Sequence, residues 1–164
     1  MNNDNPVRAY QRQNGSALDM PGRFVETAFH VRYAETDQMG IVHHSAYVVW
    51  LEEGRSQWMR SHGSSIVQFE QDGLQLAVSE IFLRYHLPAR YDQRVTVRCG
   101  ATSVRSRQIQ FDYDVVDAET GEMLVSGYTQ HICLDNAGNV TKIPDKWRLF
   151  LCQDLLVTTL SPTC

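Results

Sequence analysis

Residues 33–47 read Tyr-Ala-Glu-Thr-Asp-Gln-Met-Gly-Ile-Val-His-His-Ser-Ala-Tyr, and they separate two kinds of periodicity. Before them, Val25, Thr27, Phe29, Val31 and Tyr33 alternate with Glu26, Ala28, His30 and Arg32, the two-residue period of a strand with one buried face. After them, Tyr47, Leu51, Gly54 and Trp58 recur every three or four residues and share one helix face. The spacing predicts a strand over residues 24–33 and a helix over residues 45–62, with Ser45 as N-cap and Gly63 as stop. Trp50 and Met59 add apolar bulk beside that face, so the helix is expected to be covered on most sides.

Downstream the period returns to two. Strands are predicted over residues 76–87, closed by Pro88, and over residues 94–103, with Val95, Val97, Cys99 and Ala101 on one face. A third covers residues 108–117, where Ile109, Phe111, Tyr113 and Val115 alternate with Gln110, Asp112 and Asp114. Asp117-Ala118-Glu119-Thr120-Gly121 reads as a hairpin turn into a last strand over residues 123–134, ended by Asp135-Asn136-Ala137-Gly138. A short helix is expected over residues 146–156. Short turns demand antiparallel pairing, and a single apolar helix must bury itself against the sheet. The expected class is α+β: a curved antiparallel five-stranded sheet wrapped around one long helix.

The chain's 164 residues suit one domain, large enough to hold a core without metal or disulfide. That domain is expected over residues 23–157, between a polar tail at residues 1–22 and a short tail at residues 158–164. With 43% hydrophobic and 21% charged residues, wholesale disorder is excluded. The net charge of −4 argues against a general nucleic-acid binder. No apolar run approaches the roughly 18–20 residues of a membrane span, and residues 1–22 hold no apolar stretch of a signal peptide. A cytoplasmic protein without an integral membrane segment is expected. Cys99, Cys133, Cys152 and Cys164 form no CxxC pair and read as reduced packing thiols.

Chemistry concentrates in the quoted stretch. Asp37 lies in a loop before a helix, and Gly40 lets the backbone turn sharply. The first amides of a helix are unpaired donors with partial positive charge, so amides around His44 and Ser45 suit a carbonyl oxygen that becomes negative during acyl transfer. A nearby carboxylate could activate water or attack the carbonyl itself. His44 can titrate near neutrality or donate a hydrogen bond, and Tyr33 at the strand end could position either group. Taken singly, these residues have plainer readings: Asp37 as a turn or cap, His43 and His44 as solvent-facing, Tyr33 as core, and Glu52 with Arg55 as a helical ion pair. Metal binding is not expected, because His30, His62, His86 and His131 are scattered without HxxxH or HExxH spacing. No phosphate-binding glycine loop, GxSxG elbow or dinucleotide fingerprint occurs.

The ordered set Tyr33, Thr36-Asp37, Gly40, Val42, His44, Tyr47, Glu52 and Arg55 resembles the signature of acyl-CoA thioesterases of the hotdog fold, in the 4-hydroxybenzoyl-CoA thioesterase-like group that includes the Tol–Pal-associated thioesterases. Leu87-Pro88-Ala89-Arg90-Tyr91-Asp92 is similar to that family's strand-connecting segment, and the likeness spans residues 23–143. The resemblance implies the hotdog fold and hydrolysis of an acyl-CoA, with Asp37 as nucleophile or general base and His44 and Tyr33 assisting. It implies no metal and no cofactor, since coenzyme A enters with the substrate. It further implies a homodimer or homotetramer with the site between protomers. Gly40, Val42 and His43 would then bind substrate together with a partner's strand near Val78, Ser79 and Glu80. His43 departs from the family, where an aromatic residue often stands.

Residues 84–107 add six arginines against one acid, Asp92. Local positive charge in an acidic chain suits the phosphates of coenzyme A, with Arg105 and Arg107 as the candidate contacts; a solvated strand face is the plainer reading. Two rival functions stand beside acyl-CoA hydrolysis. One is a thioesterase for chains carried on acyl carrier protein, which would leave nucleotide-binding arginines without a role. The other is a hotdog protein that binds acyl-CoA without cleaving it.

Overall fold

The computed structural model describes residues 24–156. The expected tails at residues 1–22 and 158–164, with Cys164, lie outside the described residues. The five strands are β1 (Val25–His30), β2 (Leu74–Tyr85), β3 (Arg94–Val104), β4 (Gln108–Asp117) and β5 (Met123–Asp135). They form one antiparallel sheet in the order β1-β3-β4-β5-β2. The helices are α1 (Ala46–Ser61), α2 (Ile66–Gln71), α3 (Asp145–Leu151) and α4 (Gln153–Leu156).

β1 and β2 occupy opposite edges, so the chain between them must cross the whole sheet. It does so as α1, against the face that carries Val95, Val97, Cys99 and Ala101 of β3 and Ile109, Phe111, Tyr113 and Val115 of β4, all buried. α1 presents Tyr47, Trp50, Leu51, Gly54, Trp58 and Met59 to that face, and each large apolar side chain contributes roughly 1.5–3 kcal/mol on burial. At Gly54 the helix comes so close to β3 that a Cβ would lie 2.8 Å from Val97 Cγ1. The strict alternation of β4 matches its observed bounds, and the sheet-on-helix class is the one expected.

Local details differ from the sequence reading. β1 ends at His30, three residues short, because Tyr33–Glu35 turn into a 3-10 helix. α1 is covered on one broad side only, leaving Val49, Glu52 and Glu53 exposed. Ser45 has helical dihedrals and its hydroxyl caps nothing. α2 was not anticipated; Ser65 caps it by accepting the Gln68 N–H at 3.2 Å. The C-terminal helix is two short ones. No helix among the described residues is long and apolar enough to cross a membrane.

Glu52 and Arg55 make no ion pair. Arg55 turns inward, and its Nη1 lies 3.1 Å from Nε2 of His131 on β5. The imidazole is fully buried, with Thr129 Oγ1 at 2.8 Å from the same nitrogen. Burial, reinforced by the Arg55 charge, pushes its pKa down to about 3, so it is a neutral acceptor for the guanidinium.

Candidate active site

The loop from β1 to α1 is held by local closures. Thr36 pairs with Val42 in an antiparallel bridge. Inside it the Asp37 N–H donates to Ile41 O and the Gly40 N–H to Asp37 O, both at 2.9 Å. Gly40 has φ +71°, a conformation that side chains disfavour. Asp37 Oδ1 accepts the Met39 N–H at 2.8 Å, as turn-forming aspartates do. That leaves Oδ2, which has no hydrogen-bond partner among the described residues.

At the start of α1, His43 O accepts the Ala46 N–H at 2.9 Å. The C=O and N–H of a trans peptide point in opposite directions. The His44 N–H therefore points away from the helix, and it makes no hydrogen bond within the described residues. It is an orphan donor at the positive end of a 16-residue helix.

Asp37 and His44 line one open cleft of about 380 Å³, a volume typical of small-molecule sites. Met39, Ile41, Val42, Tyr47, Leu87 and Pro88 give it apolar walls. Tyr85 and His86, at the end of β2, complete it. The Tyr85 hydroxyl donates to His44 O at 3.0 Å, latching the edge strand to the helix start. Its ring meets Tyr47 edge-on at 5.5 Å between centroids, and the Tyr47 hydroxyl accepts the Ala89 N–H at 3.3 Å. His86 Nε2 lies 2.8 Å from Ser126 Oγ. Burial, and then the Arg84 charge, lower its pKa, so the imidazole is neutral at pH 7.

Of the residues singled out in the sequence, the structure brings Asp37, Val42 and His44 together. Gly40 shapes the turn, and its carbonyl accepts Arg90 Nη1 at 3.4 Å. The His43 ring lies 4.1 Å from that of His44, tilted by 37°, and its Nδ1 lies 2.8 Å from the Ser45 hydroxyl, outside the cleft lining. Tyr33 is 78% exposed and packs edge-on against Tyr91 at 5.5 Å, outside the cleft lining. Val78, Ser79 and Glu80 lie on β2, where the register shifts; the Ser79 hydroxyl donates to Gln130 O at 3.2 Å and Glu80 accepts the Tyr128 hydroxyl. Arg105 and Arg107 sit in the β3–β4 turn, at the other end of the sheet. Tyr85 pairs with Val125 and Gln108 with Ile132, and the seven residue steps along β5 between those rungs span roughly 20–25 Å. Tyr85, His86, Leu87 and Pro88 were not anticipated as site residues. The one sequence signal for them was that Leu87 and Pro88 begin the segment resembling the family's strand connection. Among the described residues no group of three or more His, Cys, Asp or Glu side chains is placed to hold a metal ion.

A curved antiparallel sheet holding one long helix, with a cleft at the helix start, is the architecture of the hotdog fold. The chain belongs to the thioesterase-like superfamily, whose family model matches residues 31–151. Acyl-CoA thioester hydrolase YbgC of Escherichia coli is 29% identical over 105 residues, 64% of this chain and 78% of that protein. Acyl-acyl carrier protein thioesterase ATL3 of Arabidopsis thaliana is 25% identical over 153 residues, 91% of this chain and 79% of that one. Among solved structures, the hypothetical protein TT1821 of Thermus thermophilus has a TM-score of 0.74 at 36% identity, covering 78% of this chain and 97% of that one.

Proposed function

We propose that the protein hydrolyses an acyl-CoA to a free acid and coenzyme A, with Asp37 as the reacting carboxylate. The observation that carries this reading is that Asp37 and His44 line one cleft while Asp37 Oδ2 and the His44 N–H have no partner among the described residues. The thioester carbonyl oxygen accepts the His44 N–H, whose position at the helix start favours the negative charge that develops there. Asp37 either attacks the carbonyl carbon, expelling the thiolate and leaving an anhydride that water cleaves, or takes a proton from the water that attacks. Both routes give acid and thiol from thioester and water. The His44 side chain lines the same cleft; Tyr33 packs against Tyr91 and is not among the cleft's lining residues.

The site is completed by a second copy. β2 is an edge strand with exposed Val78 and Ile81 and, among the described residues, no strand beyond it, a surface that invites strand pairing. Antiparallel apposition of two β2 strands sets the Tyr85 end of one beside the Gln75 end of the other. That brings the second copy's β3–β4 turn, with its arginines, alongside the cleft, where the anionic end of coenzyme A would emerge. Sedimentation should give a dimer or tetramer, and Ile81→Lys should weaken it.

The test is thiol release from a panel of aliphatic, aromatic and hydroxylated acyl-CoAs, run beside acyl-carrier-protein thioesters. Asp37→Asn should cut kcat by roughly 10²–10⁴-fold with the melting temperature retained. Faster turnover of carrier-protein thioesters would favour the activity named for ATL3 over the one proposed. Binding without turnover across the panel would make the protein an acyl-CoA binder.

A further inference from the structure

Asp37 and the His44 N–H belong to two ends of a loop, and nothing inside that loop fixes their separation except the Thr36–Val42 bridge and the turn at Gly40. Ala89 O accepts the Val42 N–H, and Arg90 and Tyr85 reach the carbonyls of Gly40 and His44, but Glu35 is the residue that ties the loop to both the end of β1 and the body of α1. Its side chain is 12% exposed, and every acceptor on the residue is in use on a different segment. Oε1 accepts the indole N–H of Trp50, on the second turn of α1, at 2.9 Å. Oε2 accepts the N–H of Arg32, just past the end of β1, at 2.8 Å. The backbone carbonyl accepts the His43 N–H at 2.8 Å, one peptide before the orphan amide of His44. One residue thus binds the edge strand, the helix body and the backbone entering the helix start, and it stands two positions from Asp37. The Arg32 guanidinium lies near the same carboxylate, with Nε 3.7 Å away, but it is largely exposed, and such a pair adds little.

We propose that Glu35 is a positioning residue for thioester hydrolysis: it sets the distance and angle between the Asp37 carboxylate and the His44 amide without touching substrate. This rests on the reading of Asp37 and His44 given above. The physical case is one of matched acceptors. A carboxylate offers two oxygens to two N–H donors, whereas the isosteric amide offers one oxygen and turns an NH2 group toward the other donor. Glu35→Gln therefore keeps volume and fold but releases either Trp50 or Arg32, and lets the loop swing relative to the helix. Reacting geometries tolerate little of this; a misplacement near 1 Å costs on the order of 100-fold.

The experiment compares wild type, Glu35→Gln, Glu35→Ala and Asp37→Asn by steady-state thiol release, with melting temperatures and the indole N–H resonance of Trp50, assigned from its loss in Trp50→Phe. Glu35→Gln is expected to lower kcat roughly 10- to 100-fold, leave KM within about threefold, shift the Trp50 resonance and keep a melting temperature near wild type. Glu35→Ala should be at least as slow. Glu35→Gln with wild-type kcat, while Asp37→Asn is inactive, overturns the positioning role and leaves the thioesterase reading standing. A loss that tracks only the folded fraction, with normal kcat per folded molecule, also overturns it. Full activity in Asp37→Asn overturns Asp37 as the reacting carboxylate and the inference with it, and no thiol release by wild type overturns the thioesterase reading itself.

Discussion

Replacing His131 with glutamine gives the sharpest test of the buried polar contact between α1 and the sheet. The wild-type imidazole is fully buried, 3.1 Å from Arg55 Nη1, and its pKa is pushed down to about 3 by burial and then by the Arg55 charge. In the unfolded chain it titrates near 6.5. Between these values only the unfolded chain takes up the proton. The group's contribution is therefore complete above pH 6.5 and drains away as pH falls from 6.5 toward 3. The slope is about 1.4 kcal/mol per pH unit, and the whole shift is worth at most about 5 kcal/mol, comparable to the total stability of many domains. Glutamine cannot titrate, so His131→Gln removes this dependence. At pH 7.5 the variant should be less stable by roughly 1–3 kcal/mol, having lost a packed acceptor for Arg55. Urea unfolding followed by tryptophan fluorescence from pH 7.5 to 4 would then show the gap closing below pH 6.5 and reversing by about pH 4. Stability curves that stay parallel across this range would mean that His131 is not held neutral by the fold, and the reasoning would fail.

Other expectations follow from single contacts. Gly54→Ala gains about 1 kcal/mol of helix propensity, but its Cβ would meet Val97 at 2.8 Å. Val97 is buried and cannot recede, so a net loss of roughly 1–2 kcal/mol in thermal unfolding is expected, relieved by adding Val97→Ala. Asp114, whose pKa is pushed up to about 6 chiefly by burial, has the opposite sign to His131: its contribution is present below pH 3.8 and lost as pH rises through 6. Asp114→Asn should therefore add up to about 3 kcal/mol at pH 8 and nothing near pH 4; an equal effect at both would contradict the shift. Tyr85→Ala removes an aromatic wall of the cleft and its latch to His44. kcat/KM should move toward bulkier acyl groups by roughly tenfold, and an unchanged preference order would place the acyl group elsewhere.

What could be read in the sequence was what neighbouring residues decide among themselves. β4 shows its bounds because every second residue from Ile109 to Val115 is apolar, and the buried stripe of α1 follows from Tyr47, Leu51, Gly54 and Trp58. The short α2 left one mark, Ser65 three places before Gln68, which is a capping signal that a six-residue helix hardly extends. The alternation of β1 runs past its end, because Val31 and Tyr33 keep the pattern after the strand stops at His30. Of the candidate site, Asp37 and His44 were legible, seven residues apart in one loop. Tyr85 and His86 were not, since only the pairing of β2 with β5 carries them to the helix start, some forty positions away along the chain. Arg55 shows the same limit in reverse: its local partner Glu52 was visible, and its actual partner lies 76 residues off.

The cleft takes one wall from the loop that follows β1 and the other from the end of β2, and these are the two outermost strands of the sheet. Its width is thus a reading of how far the sheet bends across β3, β4 and β5. Irregularities in pairing at Ala101/Ser103 and at Val115/Val116 lie in that span and locally alter strand bend and twist. Tightening or relaxing the arch there would resize the cleft from a distance, a route by which the preference of the proposed site can drift while every residue that lines it stays the same.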